Sequence, residues 1–132
     1  MKSPKILLAS AFFGATGVGL GAFGAHALRD LLTEYGTRDR WETAVLYQLV
    51  HTVALLGAAA WARTREGRST HRIGWAACFW TAGIFLFCGS LYLLAVTTTA
   101  PLWFRIAVPP LGGTAFVIGW LWVAGAAFAN DE

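Results

Sequence analysis

Charge is what this sequence has least of. Of its 132 residues 57% are hydrophobic and only 13% are Asp, Glu, Lys or Arg. A soluble domain carries about 25% charge, so a chain this small and this apolar could not cover its own surface in water. Cysteine is almost as scarce. Cys78 and Cys88 stand alone in one predicted helix, roughly 15 Å apart by helical rise, and a disulfide tolerates only ~7 Å between Cα atoms. Both read as small apolar side chains. No CxxC pair exists for a zinc site, and no HExxH or serine-nucleophile motif is present. The acids sit in connectors and at the C-terminus, never paired within an apolar run. Gly17-Val18-Gly19-Leu20-Gly21 follows no strand, and Pro109-Pro110-Leu111-Gly112-Gly113 lacks a lysine, so neither is a nucleotide loop. These absences leave no catalytic residue and no metal ligand set to nominate.

What the chain does have is long apolar runs. A membrane-spanning helix needs about 20 mostly apolar residues, and four segments qualify: about 6–28, 43–62, 73–96 and 110–129. Strand-like alternation is missing, and only helices or closed barrels satisfy their backbone in lipid. The expected fold is therefore all-α, a single integral membrane domain over 1–132 built as a bundle of four transmembrane helices. Lys2 and Lys5 before an apolar run ending at Ala25-His26-Ala27 also outline a secretory signal. The length of the run and its packing glycines favour a retained first helix.

The ten basic residues lie outside the runs, as loops at a membrane surface would place them, and form no stripe suited to nucleic acid. Lys2, Lys5, Arg63, Arg65, Arg68 and Arg72 fall on one side, and Arg29, Arg38, Arg40 and Arg105 on the other. The excess predicts that both termini are cytoplasmic. Between the first two runs, Leu28, Leu31, Leu32 and Tyr35 continue a helical spacing, Gly36 suits a C-cap, and Thr37 or Asp39 can open the next helix, Asp39 and Glu42 having capping-box spacing. Residues 102–108 are either a kinked start of the last helix or a separate interfacial piece. Trp41, Trp61, Trp75, Trp103 and Trp80 read as anchors near the membrane borders.

Helices in lipid associate through close packing of small residues. On the first helix Ser10, Gly14, Gly17, Gly21 and Gly24 share a face. Ala11, Ala15, Gly19, Ala22 and His26 form a second small face, and Phe13, Thr16, Leu20 and Phe23 are assigned to lipid. Gly112, Ala115, Gly119 and Ala126 repeat the device on the last helix, and Gly74, Cys78, Ala82 and Gly89 on the third.

Polar groups inside a membrane helix are costly and face the bundle. Gln48, His51 and Thr52 stand at i, i+3 and i+4, and helical rise puts His26 and His51 within roughly 6 Å in depth, with Cys88 and Tyr92 near the same layer. Three functional readings fit His26, Gln48, His51 and Tyr92: a ligand or solute site, a bis-histidine haem, or a lipophilic pocket. The plainer reading is a hydrogen-bonded network that fixes helix register. It is preferred, with no cofactor expected.

Four stretches in order then carry a resemblance: Gly21–His26, Thr43–Gln48 through His51, Gly89–Tyr92, and Pro110–Phe116 followed by Gly119-Trp120. On these the chain resembles the domain-of-unknown-function 423 family, small bacterial inner-membrane proteins with a similar animal transmembrane protein. The resemblance implies a multi-pass membrane protein with His26, Gln48, His51 and Tyr92 as pattern positions, and no assigned activity. Cys88 departs from the serine of that pattern, and Pro109 from a less proline-rich approach to the final helix. The expectation is a non-enzymatic structural or accessory component of a membrane complex, its partners the bilayer and other subunits or further copies of itself. The alternative is a binder or transporter of a small or lipophilic molecule.

Overall fold

The computed structural model describes residues 1–64 and 67–129. Arg65 and Glu66 of the basic connector and the C-terminal acids lie outside the described residues. All regular structure among those described is helical. In chain order there are α1 (Ser3–Ala25), α2 (Arg29–Glu34), α3 (Arg38–Thr64), α4 (Gly67–Gly83), a π-helical turn (Ile84–Cys88), α5 (Gly89–Val96) and α6 (Leu102–Ala127). With α4, the π turn and α5 counted as one rod, four helices are long and apolar enough to cross a membrane. The expected all-α membrane bundle is the fold observed.

Its bounds differ from the expected ones where local chemistry intervenes. Helix α1 starts with Pro4 in its first turn, where a missing N–H costs nothing. It ends at Ala25 rather than Leu28, because His26 leaves helical geometry (φ −120°, ψ −77°). Leu28 N–H then donates to Phe23 O at 2.9 Å, and α2 tucks Leu32 against Trp41 and Ala95. Gly36 takes φ +61° and the Thr37 N–H reaches back to Leu32 O at 3.0 Å, a Schellman-type stop that only glycine makes without strain. Helix α3 begins at Arg38, five residues before the expected start. The predicted capping box does not form. Thr37 Oγ1 donates to Ala95 O at 2.7 Å, and Glu42 is held by Arg38 Nε at 2.8 Å. Residues 102–108 are continuous with α6, which carries Pro109 and Pro110 inside it.

The rods pack in chain order. Helix α1 lies antiparallel on α3, α3 packs on α4 and α5, and α6 packs on α4 and the π turn; among the described residues the α1 and α6 backbones do not meet. The core, with Ile6, Phe13, Leu55, Ile73, Trp80 and Ile84, runs through the middle. Leu8 (70% exposed), Val53 (69%) and Leu121 (65%) point outward. Such an apolar exterior would drive aggregation in water and is the natural boundary with lipid.

The small faces are confirmed on one side only. A methyl on Gly17 would reach 2.8 Å from Leu49 Cδ2, one on Gly14 3.3 Å from Thr52 Cγ2 and one on Gly21 3.4 Å from Val45 Cγ1, while one on Gly24 would overlap the Trp41 indole. Gly112 faces the Phe87 backbone and Gly119 the Trp80 indole. The second face of α1 is open: Gly19 has nothing within 4 Å, and Ala11, Ala15 and Ala22 are exposed. The expected lipid arc is also corrected, since Phe13 is buried at 4% exposure and Phe12 faces out. On the third rod, Ala82 before the π turn and Gly89 just after it are both exposed; the π turn adds a residue and rotates only the faces that follow it. Trp41 and Trp80 are core residues, 5% and 2% exposed, not border anchors; Trp75 and Trp103 do face outward.

Candidate functional site

The sequence-nominated residues divide into three places. Gln48 is the centre of the first. Its Nε2 donates to Phe13 O at 2.9 Å and to Thr16 Oγ1 at 3.0 Å, and its Oε1 accepts from Tyr92 Oη at 2.9 Å. One amide thus ties α1, α3 and α5, and both its donors are engaged. Thr16 reaches this point because its hydroxyl folds back onto Phe12 O at 2.9 Å, leaving a lone pair for Gln48. Bonds of the same kind flank it along the α1–α3 seam. Ser3 Oγ donates to Ala59 O at 3.0 Å, Ser10 Oγ to Thr52 O at 3.0 Å and Trp41 Nε1 to Leu20 O at 2.9 Å. Trp41 also packs edge-on against Tyr92, centroids 4.7 Å apart. Ser3, Ser10, Gly17 and Gly24 recur every seven residues, the repeat that keeps one helix face on its neighbour.

His51 occupies a second place, turned towards α6. Its Nδ1 lies 2.8 Å from Tyr47 O, and its Nε2 accepts from Trp120 Nε1 at 3.3 Å. Indole can only donate, so Nε2 carries the lone pair and Nδ1 the proton. The ring stacks on Phe116 with centroids 3.6 Å apart and planes 12° from parallel. A lateral groove of about 570 Å³ opens beside it, lined by Tyr47, His51, Phe87, Gly113, Phe116 and Trp120 among others.

His26 is in neither place. It is exposed beyond the end of α1, so the four-residue cluster does not assemble: Gln48 and Tyr92 come together, and His51 and His26 each stand apart. The depth argument failed on the register of the two helices. Helix α3 starts at Arg38, and Gly21 meets Val45 while Gly24 meets Trp41, so His26 lies beyond the level of Trp41, about 15 Å of helical rise from His51. Cys88 is fully buried in the core. Ser10 and Trp41 were missed as seam donors, Thr16 as the seam acceptor of Gln48, and Phe116 and Trp120 as partners of His51. The seven-residue recurrence of small residues on α1 was the available signal for the seam. No local signal marks the α6 aromatics, which meet His51 only through tertiary packing.

A family model described as "Protein of unknown function (DUF423)" matches residues 20–113. The chain belongs to the DUF423 family. Within it the chain is 41% identical over 111 residues to the UPF0382 membrane protein YwdK of Bacillus subtilis, covering 83% of this chain and 85% of that one. It is 38% identical over 130 residues to the UPF0382 inner membrane protein YgdD of Escherichia coli, covering 96% and 92%. A UPF0382 membrane protein of Haemophilus influenzae is 37% identical over 128 residues, 97% of each chain. No solved structure matches. The matched span contains Gln48, His51 and Tyr92, while their partners Phe13, Thr16, Phe116 and Trp120 lie outside it. The DUF423 relatives are named as membrane proteins, in agreement with the four spans.

Proposed function

We propose that this DUF423 protein is a non-catalytic structural or accessory component of a membrane complex, with both termini cytoplasmic. The observation that carries the reading is the saturation of the seam combined with the openness of the flanks. Gln48 and its partners are fully engaged in tying helices together. Yet only 22% of the apolar window of α1, and of α6, is buried within the chain, against 39% for α3 and for the α4–α5 rod. Long faces of both outer helices remain available to other subunits. The proposal includes no resident haem: both His51 ring nitrogens have partners, and His26 stands apart from it. Absorbance of the purified protein should show no Soret band. Native membranes solubilised in mild detergent should yield a particle heavier than one chain in its detergent belt. Migration as a lone monomer under every mild condition would overturn the reading.

The groove at His51 favours a second reading, a binder of a lipophilic molecule with a planar ring. Stacked aromatics and a polar edge on a membrane-facing groove suit such a ring. Gly113 borders the groove with its nearest foreign atom, Phe87 Cδ2, 3.9 Å from an added methyl, so Gly113→Leu should fill it without clash. Decyl-ubiquinone, a soluble ring-bearing probe, should be retained in native mass spectrometry by the parent and lost by that variant. Equal retention by both, or by neither, counts against this reading.

A further inference from the structure

A recess of about 240 Å³ lies at the end of the bundle where the α2–α3 turn, the end of α5 and the start of α6 converge. Tyr35, Thr37, Arg40, Thr97, Thr98 and Arg105 supply its polar wall, and no carboxylate lines it. Arg40 uses Nη1 to donate to Leu94 O at 2.8 Å, which fixes the guanidinium at the rim and leaves its other donors open. The Arg105 side chain makes no hydrogen bond or ion pair among the described residues. Arg38, by contrast, is paired with Glu42 outside the recess. Two guanidinium groups with free donors, interleaved with hydroxyls and no acid, form the donor set that binds a phosphate oxyanion. The same turns of α6 that carry Arg105 present Leu102 (68% exposed), Trp103 (67%) and Ile106 (62%) to the outside. The charged recess therefore borders an apolar strip of the kind that acyl chains cover.

We propose that this recess binds the phosphate of an anionic glycerophospholipid headgroup between Arg40 and Arg105, with the acyl chains laid along Leu102, Trp103 and Ile106. A free phosphate ion would offer the same oxygens but would leave that strip unused. The wall carries two positive charges and nothing to pair an ammonium, which selects phosphatidylglycerol over phosphatidylcholine.

The test is lipid titration followed by native mass spectrometry of the whole protein in detergent. One phosphatidylglycerol should be retained in preference to phosphatidylcholine, and Arg105→Gln should weaken it about tenfold, the cost of one charge-assisted contact. Thr98→Asp, which adds a carboxylate to the wall, should weaken it at least as much. Arg38→Gln should leave binding unchanged. Inorganic phosphate at millimolar concentration should fail to displace the lipid; if it competes, the oxyanion site stands but its occupant is the free ion, and the lipid assignment falls. Equal binding by the parent and Arg105→Gln, or an equal loss in Arg38→Gln, overturns the site. Unfolding midpoints of each variant, measured alongside, separate lost binding from lost fold.

Discussion

Gln48 illustrates how one amide organises a membrane protein. In hydrocarbon an unpaired amide is costly, so its three partners on two other helices fix where α1 and α5 stand against α3. Bonds of this kind in a bilayer average about 0.6 kcal/mol and reach ~1.7 kcal/mol. Gln48→Leu removes three of them and leaves Tyr92 Oη unpartnered, for an expected loss of roughly 1.5–3 kcal/mol in detergent unfolding. Tyr92→Phe alone should cost about 0.6–1.7 kcal/mol. The double variant should lose less than the sum, with a coupling of about 0.5–1.5 kcal/mol; strictly additive losses would mean that the pair does not form in the folded protein. Gln48 and Tyr92 were both identified from sequence as costly polar positions. Their pairing followed from two helix faces that no one-dimensional pattern specifies.

Among the elements, glycine sets the distance between rods. At Gly112 an added methyl would lie 2.7 Å from Phe87 Cα, against backbone that cannot rotate away. Gly112→Ala should therefore cost about 1–3 kcal/mol, the usual penalty of overpacking. Gly19→Ala, on the open face of α1, should stay within ~0.5 kcal/mol of the parent. Thermal unfolding of both in the same micelle tests the contrast, and equal destabilisation would contradict the packing described. The sequence showed two small faces on α1; the seven-residue recurrence of Ser3, Ser10, Gly17 and Gly24 marks one of them, but what Gly17 and Gly19 each meet was decided only by the helix opposite. The π turn was likewise invisible. It brings the Phe87 backbone onto Gly112 while Ile84 and Cys88 remain buried, and so answers a demand made by α6.

For the whole molecule, arginines close the helix ends at both ends of the bundle. Arg72 donates through Nη1 to Gly125 O in the last turn of α6. At the opposite end Arg40 and Thr37 satisfy Leu94 O and Ala95 O in the last turn of α5. These carbonyls have no intrahelical partner, and a cation there also complements the helix dipole. With the excess of Lys and Arg on the side of the N-terminus, the expected topology has Lys5 in the cytoplasm and Thr98 outside. In a cysteine-free background, Lys5→Cys should resist a membrane-impermeant thiol reagent in intact cells, and Thr98→Cys should react. The reverse pattern would invert the topology and leave the fold untouched.

Four spans, their helical nature, their bilayer setting and the buried rank of Gln48 and His51 were fixed by composition and periodicity alone. Transfer free energy is summed residue by residue and needs no knowledge of neighbours. Which small face of α1 meets α3, why Phe13 and Trp80 turn inward, and why His26 stands apart from His51 were decided by tertiary structure. Those outcomes depend on where one helix stops and on the shape it meets, and that information exists only once the rods are side by side.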